Sequence, residues 1–552
     1  MTTAPLSENW ATLWEALAAA QPDRVAVVIG DAHIQWGDFD RGAARAAAGL
    51  HARGVGRDDR VAQLLYNCPQ YLETTYASFK LRAATVNVNY RYKAPEIVHV
   101  LGDSGAKALV FHAAFADVVD EARRSLPDLQ LLVQVLGGDG APLLPGAISY
   151  DDLIEGTEPM PPMHRAGSDI QLLYTGGTTG LPKGVVWTHA GLFGAMAFTA
   201  YGMMGVPAPT TADQVGRVAA ELAAAGRSPV NMTAPPLMHG TGLFLAFSTF
   251  VLGGRVVLLA GRRFDPVELL NLVEREGVTQ LSMVGDAFAR PIVAELERAA
   301  GAGRPYDLSS LSRIVSTGAT TSADMKRSLL GAAPAATIID MIGASEGGPF
   351  AVSVTAPGQE PLETAKFMAT PATVVFDDVT WQPIPWGTGR PGVLATSGPG
   401  PESYYRQPDA TAKVFREIDG VRYSMPGDYA TIDSDGQVHL LGRGSVCINT
   451  GGEKVFPEEV EEVLKVHDLV ADAVCVGIPD DRFGQVICAV IEASASAGEN
   501  FDERAVLASV SARLAKYKTP RHVVLVDTIG RSPSGKVDYK HLTAVARERL
   551  GR

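Results

Sequence analysis

From about Ser168 to Gly343 the chain alternates short apolar runs with longer runs of helical spacing, and nothing else in it constrains the fold as much. The strand-like runs DIQLLYT, RVVLLA, TQLSMV, SRIVST and ATIIDMI are interleaved with the helix-like runs FDPVELLNLVEREG, DAFARPIVAELERAA and SADMKRSLL. A βαβα order buries its strands in sheets covered by helices, so the expected class is α/β. Asp265 before Pro266 reads as a capping residue ahead of a first-turn proline, and Asp324 as part of an acidic first turn. Earlier in the chain, RVAVVIG and RVAQLLYN read as strands and FDRGAARAAAGLHARG as an amphipathic helix, which extends the same layering.

Two further regions depart from that rhythm. From Ala351 to Phe415, proline and glycine punctuate short β-like runs such as TVVFDDVTWQPIP and GVLATSG, which implies a β subdomain. After HLLGRGSV comes a compact mixed pattern: a helix from Pro457, strands DAVCVGI and QVICAVIEA, a helix DERAVLASVSARLAKY and a strand HVVLVD. That is enough for a separate small α+β domain. The expected division is a large N-terminal domain at 1–441 made of layered α/β subdomains plus the β subdomain, a connection at 442–446, and a C-terminal domain at 447–552.

With 48 Lys and Arg against 61 Asp and Glu, the formal charge of −13 argues against a general nucleic-acid binder. The four cysteines, Cys68, Cys447, Cys475 and Cys488, have no metal-type spacing. No secretory leader pattern opens the chain, and no apolar run reaches the roughly 20 residues a spanning helix needs. The expected location is the cytoplasm.

The segment LLYTGGTTGLPKGVVWTH, Leu172 to His189, joins two of the strand-like runs through a loop of threonine, glycine and one lysine. Gly176, Gly177 and Gly180 permit close backbone approach, so that several N–H groups converge on one anion, and Thr175, Thr178 and Thr179 add hydroxyls. Phosphate is the natural guest. A P-loop would need Gly-Lys followed by Ser or Thr, whereas Lys183 follows Pro182 and precedes Gly184, so that reading fails on spacing. The bland alternative is a glycine-rich surface turn.

These residues resemble the phosphate-loop signature of the adenylate-forming (ANL) superfamily, which includes acyl-CoA synthetases, luciferases and the adenylation domains of peptide synthetases. Further matches follow in that family's order along nearly the whole chain: PLMHGTG from Pro236, STGAT from Ser316, MIGASEGG from Met341, YSMPGD from Tyr423, GRGSVCINTGGEKVFPEEVE from Gly442 and RSPSGKVD from Arg531. Joining a carboxylate to the α-phosphate of ATP brings anions together, at about 4 kcal/mol per pair of unit charges at about 4 Å and an effective dielectric near 20. The resemblance implies that Lys536 neutralises that charge and that Glu346 holds Mg²⁺. It also implies that Thr178, Thr179 and Lys183 take the β- and γ-phosphates and that the Ser345 hydroxyl takes the α-phosphate. On the nucleoside side it implies that Asp428 and Arg443 take the ribose, that Gly318 and Ala319 form a flat slot for adenine beside Met341, Ile342 and Gly343, and that Asp340 accepts from the adenine amino group. Ile342 stands where the family has an aromatic residue, Pro426 where it has Thr, and Gly176 where it has Ser.

The family's second half-reaction requires the small domain to swing about a residue that is Ser445 here, in place of the usual Asp or Lys. The C-terminal domain is therefore expected to be a mobile lid. Coenzyme A is implied to enter near Gly451, Gly452 and Glu453, with its thiol meeting the adenylate beside His239, a gate or orienting residue unless it is a core histidine. The run LSMVGDAFARPIV, Leu281 to Val293, resembles the acyl-pocket segment of the subgroup acting on fatty or steroid side-chain acids, with Val284, Gly285, Phe288 and Gly318 on the substrate. Asp286 reads either as a pocket acid or as the cap of a helix starting at Ala287. NVNYRYKAPEI, Asn87 to Ile97, is taken as structural. The resemblance thus implies an acyl-CoA ligase using ATP, Mg²⁺ and coenzyme A on a small carboxylic acid, with a homodimer left open. The alternatives are an enzyme loading a carrier protein and a non-catalytic nucleotide binder.

Overall fold

The computed structural model describes residues 8–137, 140–175, 181–319, 321–361, 366–443, 446, 448–450, 453–480, 483–497, 501–514, 516–532 and 537–551. Two sheets organise the large domain. In the first, the strands Val25–Ile29, Arg255–Leu258, Val230–Thr233, Gln280–Met283, Arg313–Thr317 and Thr337–Ala344 lie side by side in that order, all parallel. In the second, Ile170–Thr175, Ala84–Asn87, Arg60–Leu64, Ala108–His112, Leu131–Val135 and Ile148–Ser149 run parallel. The expected α/β layering is therefore present, and its central strands, such as Gln280–Met283, Ala84–Asn87 and Ala108–His112, are buried throughout, as parallel strands covered on both faces must be.

The β region is not a separate subdomain in its hydrogen bonding. Thr337–Ala344 is followed by an antiparallel neighbour, Gly347–Thr355, and the ladder continues through Lys366–Ala369, Gln437–Arg443, Asp428–Ile432 and Gly392–Ser397. One sheet thus changes from parallel to antiparallel at the turn after Ala344. The short strand Ser403–Tyr404 leaves this sheet for the other, where it pairs with Lys183–Thr188.

Helix boundaries follow local chemistry. Asp265 caps Pro266–Glu276 by accepting from the Val267 N–H, and Thr188 caps His189–Met203 by accepting from the Gly191 N–H at 3.1 Å. The helix Gly240–Val251 is largely apolar and buries most of its residues. Phe247 and Phe250 pack into an aromatic core with Trp10, Trp14, Trp36 and Phe39, with ring centroids 4.9 Å apart for Trp10 and Phe247. Its opposite face is free to line a cavity.

The smaller domain is a sheet of Glu453–Val455, Ile448–Thr450, Gly484–Ala493, Val470–Asp480 and His522–Val526 with helices Pro457–Lys465, Glu503–Arg513 and Tyr539–Arg549 on it. It meets the large domain where the Phe456 ring lies 5.2 Å from that of Tyr429 and where the Glu458 carboxylate covers Gly442, leaving no room for a Cβ. Residues 444, 445, 447, 451 and 452 lie outside the described residues. No helix among the described residues is long and apolar enough to cross a membrane.

Candidate active site

Where the two sheets meet there is a cavity of about 280 Å³. One wall comes from the carboxyl ends of the parallel strands: Thr317 and Gly318 at the end of Arg313–Thr317, and Met341 with Gly343 to Pro349 around the turn where the large sheet changes direction. Thr175 and Trp187 come from the second sheet, and His239 and Thr241 from the start of Gly240–Val251. Of the expected site residues, Thr175, His239, Val284, Gly318, Met341, Gly343, Ser345 and Glu346 line this one space.

Ser345 and Glu346 are the two residues of a tight hairpin, since Ala344 and Gly347 are cross-strand partners. Three donors fix that hairpin. The Trp187 indole N–H donates to the Ser345 carbonyl at 3.1 Å, the Ser424 hydroxyl donates to the Glu346 carbonyl at 2.5 Å, and the Tyr404 hydroxyl donates to Glu346 Oε1 at 2.6 Å. Gly347 has φ +141°, a conformation that disfavours a side chain. No described residue engages the second carboxylate oxygen of Glu346.

The phosphate-type loop springs from a fixed base. Thr175 and Lys183, which flank the loop in sequence, are direct cross-strand partners. Gly176, Gly177, Thr178, Thr179 and Gly180 lie outside the described residues. The Lys183 Nζ stands 5.3 Å from the centre of the Tyr404 ring. Gly184 has a packing reason of its own, because a Cβ there would come within 2.7 Å of the Tyr174 ring.

His239 is half-buried at the amino end of Gly240–Val251, where the unsatisfied N–H groups and helix dipole favour an anion. The loop before it is held by Asn87, whose amide donates to the carbonyls of Met238 at 2.7 Å and Tyr174 at 2.9 Å and accepts from the Tyr174 N–H at 2.6 Å. One buried side chain thus ties the base of the phosphate-type loop to the histidine, a structural role for the NVNYRYKAPEI run.

Asp428 and Arg443 are backbone partners across neighbouring antiparallel strands. Glu453 sits on the strand Glu453–Val455 opposite Thr450. Gly451, Gly452 and Lys536 lie outside the described residues, as does Ser445.

Several expectations need correction. Asp340 is buried, with Lys326 Nζ 2.5 Å from its Oδ2 and the Thr321 hydroxyl donating to its Oδ1 at 3.0 Å. It lies outside the cavity lining, beside Lys326 and Thr321. Burial pushes its carboxyl above the usual carboxylate range, against the pull of the Lys326 ammonium. Phe288 is a core residue packed on Phe264 at 4.8 Å between centroids, not a pocket wall. Gly285 is buried at the start of a helix that begins two residues earlier than expected, and its N–H donates to the Ser316 hydroxyl. Asp286 neither caps that helix nor enters the cavity, but accepts from the Ser322 N–H at 2.8 Å and pairs with Arg290. Ile342 and Ala319 are half-buried against hydrophobic clusters and do not line the cavity.

The apolar wall comes instead from residues that motif reading passed over. His189–Met203 contributes Leu192, Ala195, Met196 and Thr199, and Gly240–Val251 contributes Phe244, Leu245 and Ser248. The first set recurs at three, four and seven residues and the second at three and four, the spacing of one helix face. That periodicity was visible in the sequence, but nothing in it distinguishes a cavity face from a core face. Trp187 and Phe244 pack edge to face at 5.5 Å and join the two walls.

Residues 14–405 match the family described as AMP-binding enzyme, and residues 459–536 match the AMP-binding enzyme C-terminal domain. The chain belongs to the AMP-binding enzyme family. It is 37% identical to a medium-chain acyl-CoA ligase, Mig, of Mycobacterium avium over 95% of this chain and 96% of the relative. It is 38% identical to a medium/long-chain-fatty-acid and 3-oxocholest-4-en-26-oate CoA ligase of Mycolicibacterium smegmatis over 98% and 97% of the two chains. A 3-oxocholest-4-en-26-oate CoA ligase of Rhodococcus rhodochrous is 35% identical over 96% and 95%. Among solved structures, an anthranilate CoA ligase in complex with anthranoyl-AMP superposes with a TM-score of 0.82 at 22% identity, covering 100% of this AMP-binding enzyme and 99% of that chain. That likeness bears on the fold alone, and it spans both domains.

Proposed function

We propose that this AMP-binding enzyme is an acid–thiol ligase that activates a hydrophobic carboxylic acid, of fatty or steroid side-chain type, as its acyl adenylate and passes it to coenzyme A. One observation carries the reading: the Ser345–Glu346 hairpin, the base of the Thr-Gly-Lys loop and His239 converge on one cavity whose remaining wall is apolar.

In the first step a carboxylate oxygen of the acid attacks the α-phosphorus of ATP, the new O–P bond forms and pyrophosphate leaves. Thr178, Thr179 and Lys183 hold the β- and γ-phosphates, with Thr175, Gly176, Gly177 and Gly180 in the same nucleotide-binding loop, and the Ser345 hydroxyl holds the α-phosphate. Glu346 suits magnesium: a fixed carboxylate with one oxygen not taken by any described residue, beside a phosphate site, is how that ion is usually held. When bound there, magnesium neutralises phosphate charge. Gly318, Met341 and Gly343 border the nucleoside, with Asp428 and Arg443 on the ribose. Lys536 of the small domain stabilises the charge of the transition state. The small domain then turns about the 442–446 connection at Ser445, and the thiol of coenzyme A arrives past Gly451, Gly452 and Glu453. Its sulfur, having lost the proton to solvent, attacks the acyl carbonyl beside His239, the bond from that carbonyl to the phosphate oxygen breaks, and AMP leaves. Val284 and the two helix faces enclose the acyl group. A cytoplasmic location completes the proposal.

The test is pyrophosphate exchange into ATP that depends on a hydrophobic acid, followed by thioester formation with coenzyme A and release of AMP. Nucleotide binding without exchange would overturn it, and exchange with transfer only to a carrier protein would replace the acceptor.

A further inference from the structure

Tyr404 belongs to none of the motifs that mark the site, yet it stands between two of their charged groups. It lies on the two-residue strand that leaves the large sheet, where it pairs with Val185 of Lys183–Thr188. Lys183, two residues before Val185 on the same side of that strand, is therefore its diagonal neighbour, which puts the ammonium 5.3 Å from the ring centre. The hydroxyl at the other end of the ring donates to Glu346 Oε1 at 2.6 Å, with Tyr404 8% and Glu346 9% exposed. No ion pair joins Lys183 to Glu346 among the described residues.

The chemistry of this arrangement is specific. A lysine or arginine at the Glu346 carboxylate would cancel its charge and compete with a metal cation for it. A phenol does neither, because it donates one hydrogen bond, remains neutral and leaves the carboxylate anionic. The same ring offers Lys183 an attractive face away from the carboxylate. We infer that Tyr404 is a positioning residue that orients Glu346 through Oε1 and keeps Lys183 from pairing with it, so that Oε2 meets a divalent cation on the nucleotide phosphates. This rests on the metal role given to Glu346 above.

The test uses the full-length enzyme with Mn²⁺ and α,β-methylene-ATP, reading metal binding by electron paramagnetic resonance. Tyr404→Phe removes the hydroxyl and keeps the ring. It is expected to weaken Mn²⁺ binding in the nucleotide complex about tenfold, as loss of a hydrogen bond to a charged group does. The Mg²⁺ concentration for half-maximal adenylate formation should rise by a similar factor, with the KM for the acid unchanged. In a Glu346→Gln background the same substitution should add nothing. Tyr404→Leu, which also removes the ring, should in addition weaken metal-free nucleotide binding through the released Lys183, while metal-free nucleotide binding by Tyr404→Phe stays normal and reports an intact fold. Unchanged Mn²⁺ affinity in Tyr404→Phe, or an equal loss in the Glu346→Gln background, would overturn the inference. If Glu346→Gln weakens Mn²⁺ binding and Tyr404→Phe does not, only the tyrosine's role fails, whereas unchanged binding in Glu346→Gln removes the metal assignment itself.

Discussion

On the side of the cavity where Ser345 and Glu346 stand, each group is held by a named donor from a different strand, whereas on the side of Met196, Phe244 and Leu245 the residues are held by packing. The first wall tolerates little change, because its side chains are placed by direction as well as by volume. The second can be re-cut one methylene at a time without disturbing the first. Substrate choice can therefore drift within this fold while the phosphate chemistry stays put.

The largest effect expected on that contrast comes from the polar side. Lys536→Ala should lower adenylate formation by about a thousandfold, the scale of losing a charge-stabilising group, yet spare thioester formation from a supplied acyl adenylate. Rapid-quench assays of the two half-reactions separate them, and equal loss in both would break the idea of a lid that serves one step only. Next is the apolar side. Phe244→Ala should change kcat/KM for hydrophobic acids by about ten- to a hundredfold, in a direction set by acid size, while the KM for ATP stays constant. A matching change in the KM for ATP would mean that the two walls are not independent.

Asn87→Ala tests the joint between them. Stranding the carbonyls of Tyr174 and Met238 and the Tyr174 N–H should cost about 2–3 kcal/mol in urea denaturation. At neutral pH the smallest effect concerns His189, at the head of an apolar-wall helix. Its Nδ1 accepts from the Trp10 N–H, and burial lowers its pKa from 6.5 to about 3, so it is neutral in the folded protein. Because the folded value is the lower one, this group's contribution to stability is present above about pH 6.5. It is lost as pH falls towards 3, at about 1.4 kcal/mol per pH unit for one proton. His189→Gln should flatten that part of the stability profile.

How much of this could be read beforehand divides along the same line. The strands from Ile170–Thr175 to Thr337–Ala344 announced themselves by period and by capping residues, and the Thr-Gly-Lys and Ser-Glu-Gly runs by side chains that few other structures need. Asp340 looks freely available as a carboxylate in a site motif, and only the fold puts Lys326 beside it. Lys326 comes from a helix whose register against the strand no local pattern states. Phe288 and Phe244 both sit on apolar helix faces, and only tertiary packing sends one into the core and the other to the cavity. Tyr404 was invisible for a related reason: its importance lies in contacts across 58 residues to Glu346.

The strand Ser403–Tyr404 has one more effect, on how the chain can be divided. By pairing with Val185 and Val186 it closes what would be the open border of the second sheet. A fragment ending before Ser403 would present Lys183–Thr188 as a bare template of unpaired amides and carbonyls, ready to recruit another copy of itself. Gene halves meant for complementation should therefore be cut elsewhere, or they will clump before they meet.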